Sequence, residues 1–385
     1  MELNVQKLLR SGWTLEKLKE EYAIQARVCE RLGVVCLNYN QIFSPMGDPV
    51  VQECRALVLD KEDFRVVSWP FRKFFNFGEG HIPQDFDWEH FRTLEKLDGS
   101  LIHFWYHDTE GWQCGTRSVP DADTPFDDSG VTFKQLVLKT IQEMGHTWDF
   151  WTGAMEPGFC YTFELTTPEN QIVCSYGNER KLTLIGIRKL STLQEYDIHL
   201  WLPWNGTYSA YLQNPWPLVK WHEGFTLDAV QAEVQKRDPQ QFEGYVLVDP
   251  HFHRIKIKSS AYVFMSSRRD SLGKSNKARI ELIQNDAVDD VLSSLPEFVQ
   301  EKILNLQRKL KTLVLAYDAY YQTVKDIEGD RDFALEVQHS GFATVCFALR
   351  KGKATDAWDF FRKTSPKRVL EYLEEDDVEE EIIVE

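Results

Sequence analysis

What this chain lacks narrows its class before any motif is read. No run of about 18 apolar residues occurs, the length a helix needs to cross a bilayer, and Met1 to Arg10 is too polar for a secretory signal. Membrane spanning and secretion are therefore not expected. The seven cysteines (Cys29, Cys36, Cys54, Cys114, Cys160, Cys174 and Cys346) never stand at the two-residue spacing of zinc or dithiol-redox sites, and their odd number speaks against a disulfide framework. Scattered thiols of this kind suit a reducing, cytoplasmic setting. Positive charge is also scarce. Against 60 Asp and Glu the chain has 44 Lys and Arg, a formal net charge of -16. That balance argues against indiscriminate binding to phosphate backbones but leaves room for a local basic cleft. Part of the acidity is terminal, since Glu371 to Glu385 holds nine acids and no Lys or Arg, which reads as a solvated tail.

What is present reads as globular. Of the 385 residues 43% are hydrophobic, including 12 Trp and 24 Phe. A single core stops growing at roughly 250 to 300 residues, so two domains are expected. Composition places the boundary near residue 270. β signals end there, in the basic junction of Ser266-Ser267-Arg268-Arg269 and Lys274-Ser275-Asn276-Lys277-Ala278-Arg279. Residues 1–270 should form a β-rich domain and 271–385 a small helical one.

Along the first part, helical spacing from Asn4 to Leu32, stopped by Gly33, predicts an amphipathic helical pair. A short strand over 34–40 carries Tyr39 near its end. Two hairpins follow, one from 53–60 with 65–70 and one from 100–107 with 111–118, then a helix over 131–145 and strands at 159–167 and 181–188. Residues 191–242 are less readable apart from a helix over 227–236. A last hairpin joins 242–248 to 254–259. In the second part, Val299, Ile303, Leu306, Leu310, Leu313, Tyr317, Tyr320 and Val324 predict one long amphipathic helix.

Several charged residues sit where strands should be. Lys96-Leu97-Asp98-Gly99-Ser100 places a lysine at the mouth of a strand, and by itself the stretch is an ordinary turn. Lysine becomes a nucleophile where its surroundings favour the neutral amine. Arg55 and Glu164 interrupt apolar strands, where a charge needs a partner, water or a bound ion. Lys256 and Lys258, two apart, project from one strand face and need an anion nearby unless the strand is a solvated edge. Phe71 to Phe77 interleaves Arg72 and Lys73 with aromatics, a composition that suits either a phosphate-and-base site or an aromatic core with solvated cations. A reactive lysine, carboxylates for a divalent cation and lysines to neutralise a leaving pyrophosphate are the parts nucleotidyl transfer requires.

In their order and spacing these motifs resemble the covalent nucleotidyltransferase superfamily, and within it the bacteriophage RNA ligase 1-type ATP-dependent RNA ligases. The resemblance covers about residues 34 to 270. Lys96-Leu97-Asp98-Gly99-Ser100 is similar to the motif whose lysine takes AMP. Glu53-Cys54-Arg55 and Lys73-Phe74-Phe75-Asn76 match elements particular to these ligases, and Phe163-Glu164, Glu243-Gly244-Tyr245-Val246 and Lys256-Ile257-Lys258-Ser259 match the later motifs.

The resemblance implies an α+β fold: a nucleotidyltransferase domain of ATP-grasp-like antiparallel sheets, then an all-helical domain that can dock RNA. It implies Lys96, Lys256, Lys258 and Arg55 as catalytic residues, and Tyr39, Lys73, Phe75, Asp98, Gly99, Arg117, Glu164 and Glu243 as nucleotide contacts. Arg117 stands where the family usually has lysine. Glu164, Glu243 and, after the junction, Asp289 are the implied ligands of Mg²⁺ or Mn²⁺. The implied substrates are ATP and RNA with 5'-phosphate and 3'-hydroxyl ends, such as a nicked tRNA, sealed by a monomer in the cytoplasm, or the host cytoplasm if the chain is phage-encoded. Other polynucleotide ligases, capping-type guanylyltransferases and a non-catalytic RNA-binding homologue are the alternatives. Leu101, where DNA ligases normally carry arginine, disfavours the first of these.

Overall fold

The computed structural model describes residues 2–125, 130–200, 216–259, 262, 275–292 and 297–377. The basic stretch 266–269 with Lys274, and the tail beyond 377, lie outside the described residues. Two compact units divide at Tyr262/Val263.

The first unit is built on three sheets. A four-stranded sheet runs in the order β1 (Ile24–Cys29), β2 (Val34–Tyr39), β3 (Leu57–Asp60), β4 (Val66–Ser68). Its core side packs on α1 (Asn4–Arg10), α2 (Leu15–Tyr22) and α3 (Pro49–Glu53) through Val5, Leu9, Leu18, Val51, Leu37 and Leu59. Here the helical expectation to Leu32 is corrected. Ala23 at φ 52 ends α2, and the next six residues pair antiparallel with β2 in the register Ile24↔Tyr39. Only Ile24 of that edge strand is buried, so its sequence lacks the strong alternation of a half-buried strand.

The other two sheets enclose the charged residues. One has the order β12 (Trp221–His222), β6 (Arg92–Lys96), β13 (Gly244–Val248), β14 (Arg254–Lys258), β5 (Phe75–Asn76). Alternate residues share a face, and the register sets three rows across it: Lys96, Gly244 and Lys258; Leu94, Val246 and Lys256; Arg92, Val248 and Arg254. The opposite face, with Tyr245, Leu247, Ile255 and Ile257, packs on Phe86 and on Val230 and Val234 of a helix over Leu227–Lys236.

The third sheet runs β11 (Gln194–Tyr196), β10 (Lys181–Lys189), β9 (Phe159–Thr166), β7 (Ser100–His107), β8 (Gly111–Thr116). One face buries Ile102, Phe104, Phe163, Leu182 and Leu184 against Leu136, Val137 and Ile141 of the helix Phe133–Glu143. The other carries Glu164, with Leu101 and Thr183 as its cross-strand neighbours. The short turn after Lys96 is the passage from β6 of one sheet to β7 of the other. Lys96 therefore ends a strand rather than opening one.

The second unit is helical among its described residues, with Asn276–Gln284, a 28-residue helix Glu297–Val324 and four shorter helices after it. In the long helix Val299, Ile303, Leu306 and Leu310 are buried, and the stripe then slides to Val314 and Tyr317 while Leu313 is only partly covered. A 3.6-residue helix drifts in this way from a strict four-three spacing.

Candidate active site

Lys96 lies at the centre of a cluster to which all three sheets contribute. Its Nζ is 2.7 Å from Glu243 Oε1, and Lys258 Nζ is 3.1 Å from the same oxygen. Glu243 is 2% exposed, and its second oxygen, Oε2, is buried with no hydrogen-bond partner. A buried carboxylate oxygen left unsatisfied is costly, so the site is short of a donor or a cation at that point. Gly244 follows because a Cβ there would stand 2.1 Å from the Ile257 carbonyl.

Glu164 faces this pair from the third sheet. Burial raises its pKa to about 7; Lys96 and Arg55 pull it down, and Glu243 and Asp98 push it up. A buried carboxylate whose ionisation a second carboxylate opposes is a suitable seat for a hard divalent cation, which favours the charged form. Among the described residues no group of three or more His, Cys, Asp or Glu could hold a metal alone. An ion here would complete its shell with water and phosphate oxygens, as Mg²⁺ commonly does. Asp289 belongs to the second unit, in the short helix Val288–Val291.

The turn between the sheets is fixed on every side. Asp98 Oδ2 accepts from the Val173 and Cys174 amides at 2.8 and 2.7 Å, and Oδ1 accepts from the Tyr262 hydroxyl at 2.7 Å. Its carboxylate is thus used within the protein to set the turn. A Cβ on Gly99 would fall 2.3 Å from the Leu165 carbonyl, so the glycine permits a close approach to the strand that bears Glu164. Ser100 Oγ accepts from Asn170 Nδ2.

Beside this lies a cluster of cations around Tyr39. Lys73, itself buried, has its Nζ 4.6 Å from the Tyr39 ring centroid and 4.9 Å from that of Phe75. The Arg117 guanidinium is 4.9 Å from the Tyr39 ring, and its Nε is a buried donor with no acceptor. Burial would raise the Tyr39 phenol, but Arg117, Lys73, Arg55 and Lys256 outweigh it and hold the pKa below its usual value. Four cations close enough to favour a phenolate form a strong anion-attracting pocket. Next to Arg55, Ala56 takes φ 55, a conformation rare for alanine and of a kind found at functional sites.

Most of the residues expected from sequence therefore meet here: Lys96, Glu164, Glu243, Lys258 and Asp98 in one group, Tyr39, Lys73, Arg117, Arg55 and Lys256 in the adjoining one. Glu53 has a different part. It accepts from Asn4 Nδ2 and the Val5 amide and pairs with Arg72, tying the N-terminus to the sheet. Phe75 is buried beneath Lys73, whereas its neighbour Phe74 carries Arg55 at 5.4 Å and Lys256 at 5.7 Å from its ring. The resemblance named Phe75, which meets Lys73; Phe74, which it left aside, meets the two other cations. Tyr176 and Tyr262, both bonded to Asp98, had no signal in the sequence.

A family model described as RNA ligase matches residues 53–262, more than half of the chain. Among curated relatives, a candidate bifunctional polynucleotide kinase/RNA ligase of Autographa californica nuclear polyhedrosis virus is 29% identical over 310 residues, 76% of this chain and 42% of that protein. An RNA ligase of Rhodothermus phage RM378 is 26% identical over 173 residues, 37% of this chain and 38% of the relative. Of solved structures, an archaeal ATP-dependent RNA ligase is similar with a TM-score of 0.44 at 13% identity, covering 82% of this chain and 83% of that one. The chain spans less than half the length of the first curated relatives it matches. Arg55, Lys73, Lys96, Arg117, Glu164, Glu243, Lys256 and Lys258 all fall within the matched segment, and the chain belongs to the RNA ligase family.

Proposed function

We propose that this protein is an ATP-dependent RNA ligase that joins a 5'-phosphate end to a 3'-hydroxyl end through a lysyl-AMP intermediate on Lys96. The observation that carries the reading is the placement of Lys96 and Lys258 on one oxygen of Glu243, at the crossing between two sheets, beside the cations that surround Tyr39. Lys96 Nζ attacks the α-phosphorus of ATP, the bond to the β-phosphate oxygen breaks, and pyrophosphate leaves. The ammonium proton must be lost for this step, and Glu243 Oε1 at 2.7 Å is placed to receive it. Arg55, Lys73, Arg117 and Lys256 neutralise the triphosphate, with Lys258 at the α-phosphate. An oxygen of the RNA 5'-phosphate next displaces Lys96 from phosphorus, giving an RNA-adenylate. The 3'-hydroxyl then attacks the 5'-phosphorus and AMP leaves.

Glu164 and Glu243 would hold Mg²⁺ or Mn²⁺, which supplies charge neutralisation at the phosphate oxygens when bound. Asp289 is proposed as a further acidic ligand on sequence grounds alone. Broken RNA such as a nicked tRNA is the proposed substrate, and the helical unit its proposed docking element. A monomer in the cytoplasm is the proposed state; the seven cysteines are free, as a reducing compartment would keep them, and among the described residues no helix is long and apolar enough to cross a membrane.

The test is incubation of wild type and Lys96→Ala with α-labelled ATP or GTP and Mg²⁺, followed by denaturing electrophoresis. The expected result is a protein-AMP adduct from ATP in the wild type alone. Label retained in Lys96→Ala removes the assigned nucleophile, and labelling from GTP alone points to a capping enzyme. Offering 5'-phosphorylated RNA and nicked duplex DNA then separates the ligase classes. Preference for the nick overturns the RNA assignment.

A further inference from the structure

The excursion between β9 and β10, residues 167–180, does more than connect two strands. Arg180 fastens its end, donating to Glu169 through Nε and Nη2 and to Glu143 through Nη1, and Lys139 adds a second cation at Glu169. Asn170 closes its start, accepting from the Thr167 amide and hydroxyl and donating to the Leu165 carbonyl and Ser100 Oγ. Between these anchors the Val173 and Cys174 amides grip the Asp98 carboxylate. The Ser175 amide donates to the Gln240 carbonyl at 2.8 Å, and Cys174 Sγ lies 3.6 Å from that of Pro239. One loop thus ties the turn after Lys96 to the segment that leads into Glu243.

Within that loop Tyr176 makes a contact of a different kind. Its hydroxyl oxygen accepts the Asp98 amide at 2.9 Å. Burial and the nearby Cys174, Asp98 and Glu243 push the phenol up against the opposing effect of that amide, so the group is a neutral hydroxyl at neutral pH. The Asp98 amide is two residues from Lys96 and sits between two sheets, where no strand carbonyl is opposite it. Without the phenol a part-buried donor at the turn would lose its acceptor, leaving the turn held through the Asp98 carboxylate and no longer through its backbone amide.

We infer that Tyr176 is a positioning residue for the nucleophile, its hydroxyl holding the Asp98 amide and so fixing the direction from which Lys96 leaves the strand. The inference rests on the reading of Lys96 as the residue that takes AMP. It separates the reaction into parts. Attack of Lys96 on ATP needs the turn in place, whereas sealing of an RNA already carrying AMP at its 5' end does not use Lys96 as a nucleophile.

The experiment compares full-length wild type, Tyr176→Phe and Tyr176→Leu in single-turnover labelling with α-labelled ATP, and in sealing of a chemically adenylylated RNA without ATP. Thermal melts accompany both. Tyr176→Phe keeps the ring and removes one oxygen, so it retains the fold even if Tyr176→Leu does not. Labelling is expected to slow roughly tenfold, the scale of one hydrogen bond at a reacting group, with the apparent KM for ATP within about twofold of wild type. Sealing of the adenylylated RNA is expected to stay within about twofold. Labelling at the wild-type rate overturns the inference, and so does an equal loss in both reactions, which would mark a general structural role. Failure of the wild type itself to label would instead refute the reading of Lys96.

Discussion

Glu164→Gln should make this protein more stable and less active at once, and the pH at which the stability appears is set by the structure. The Glu164 carboxyl titrates near 7 in the fold against a usual 4.5, chiefly because it is buried. Between those values the folded chain holds a proton that the unfolded chain has lost. Stability from this group therefore falls as pH rises from about 4.5 to 7 and is level above. Integrated over that shift the wild type gives up at most about 3 kcal/mol. Glutamine keeps the shape and removes the slope. The difference in unfolding free energy, variant minus wild type, should grow by up to about 3 kcal/mol between pH 5 and pH 8. Urea titration without nucleotide or metal measures it, followed by tryptophan fluorescence, since every Trp but Trp358 lies before residue 263. The same variant should lose lysine labelling, having given up a charge the divalent ion requires. A difference independent of pH, or a variant less stable than wild type at pH 8, refutes the reasoning.

Two further outcomes follow from the same geometry. His103 is fully buried between Ser68 Oγ at 2.7 Å and the Thr116 carbonyl at 3.1 Å, and burial pulls its pKa down to about 4 from 6.5. Here the unfolded chain binds the extra proton, so stability is lost as pH falls through that window, by at most about 3 kcal/mol. Because this slope opposes that of Glu164, the two largely cancel in wild type; a His103→Gln variant should expose the Glu164 slope in the same urea titrations, and an unchanged pH profile would count against both assignments. Gly99→Ala should cost about 1–3 kcal/mol, since its Cβ meets the Leu165 backbone at 2.3 Å and cannot be relieved by a side chain, and labelling should fall with it. A wild-type melting temperature for Gly99→Ala would show that the approach of the two strands is looser than described.

Legibility in the sequence followed the strength of local pattern. The hairpin of β7 and β8, the helix over 133–143 and the helix over 297–324 carried long periodic signals and are where the spacing puts them. The strand β1 was read as helix because it buries one residue of six and follows a helix ended by Ala23 rather than by glycine. An edge strand without alternation is indistinguishable from a fraying helix in sequence. At the site, Arg55, Glu164, Lys256 and Lys258 stand out as charges on strands, which is a local anomaly, whereas the Lys96 stretch by itself reads as a turn and gains its role, like Glu243, from the resemblance. Tyr176 and Tyr262 do not, because a tyrosine is ordinary until its neighbours are known; Tyr39 is marked by the resemblance, not by its local pattern.

The sequence by itself determined which charges must be compensated and which strand faces they occupy, since alternation is a property of the chain. It could not determine what compensates them. That Lys96 and Lys258 share one Glu243 oxygen depends on the register of β6, β13 and β14, and register is a matter of pairing between distant segments. That Glu164 feels Lys96 and Glu243 depends on how two sheets close on each other. The turn of Lys96, Asp98 and Gly99 is five residues of local preference, but its shape is held by residues 165–176 and 262, and only the folded chain brings those to it.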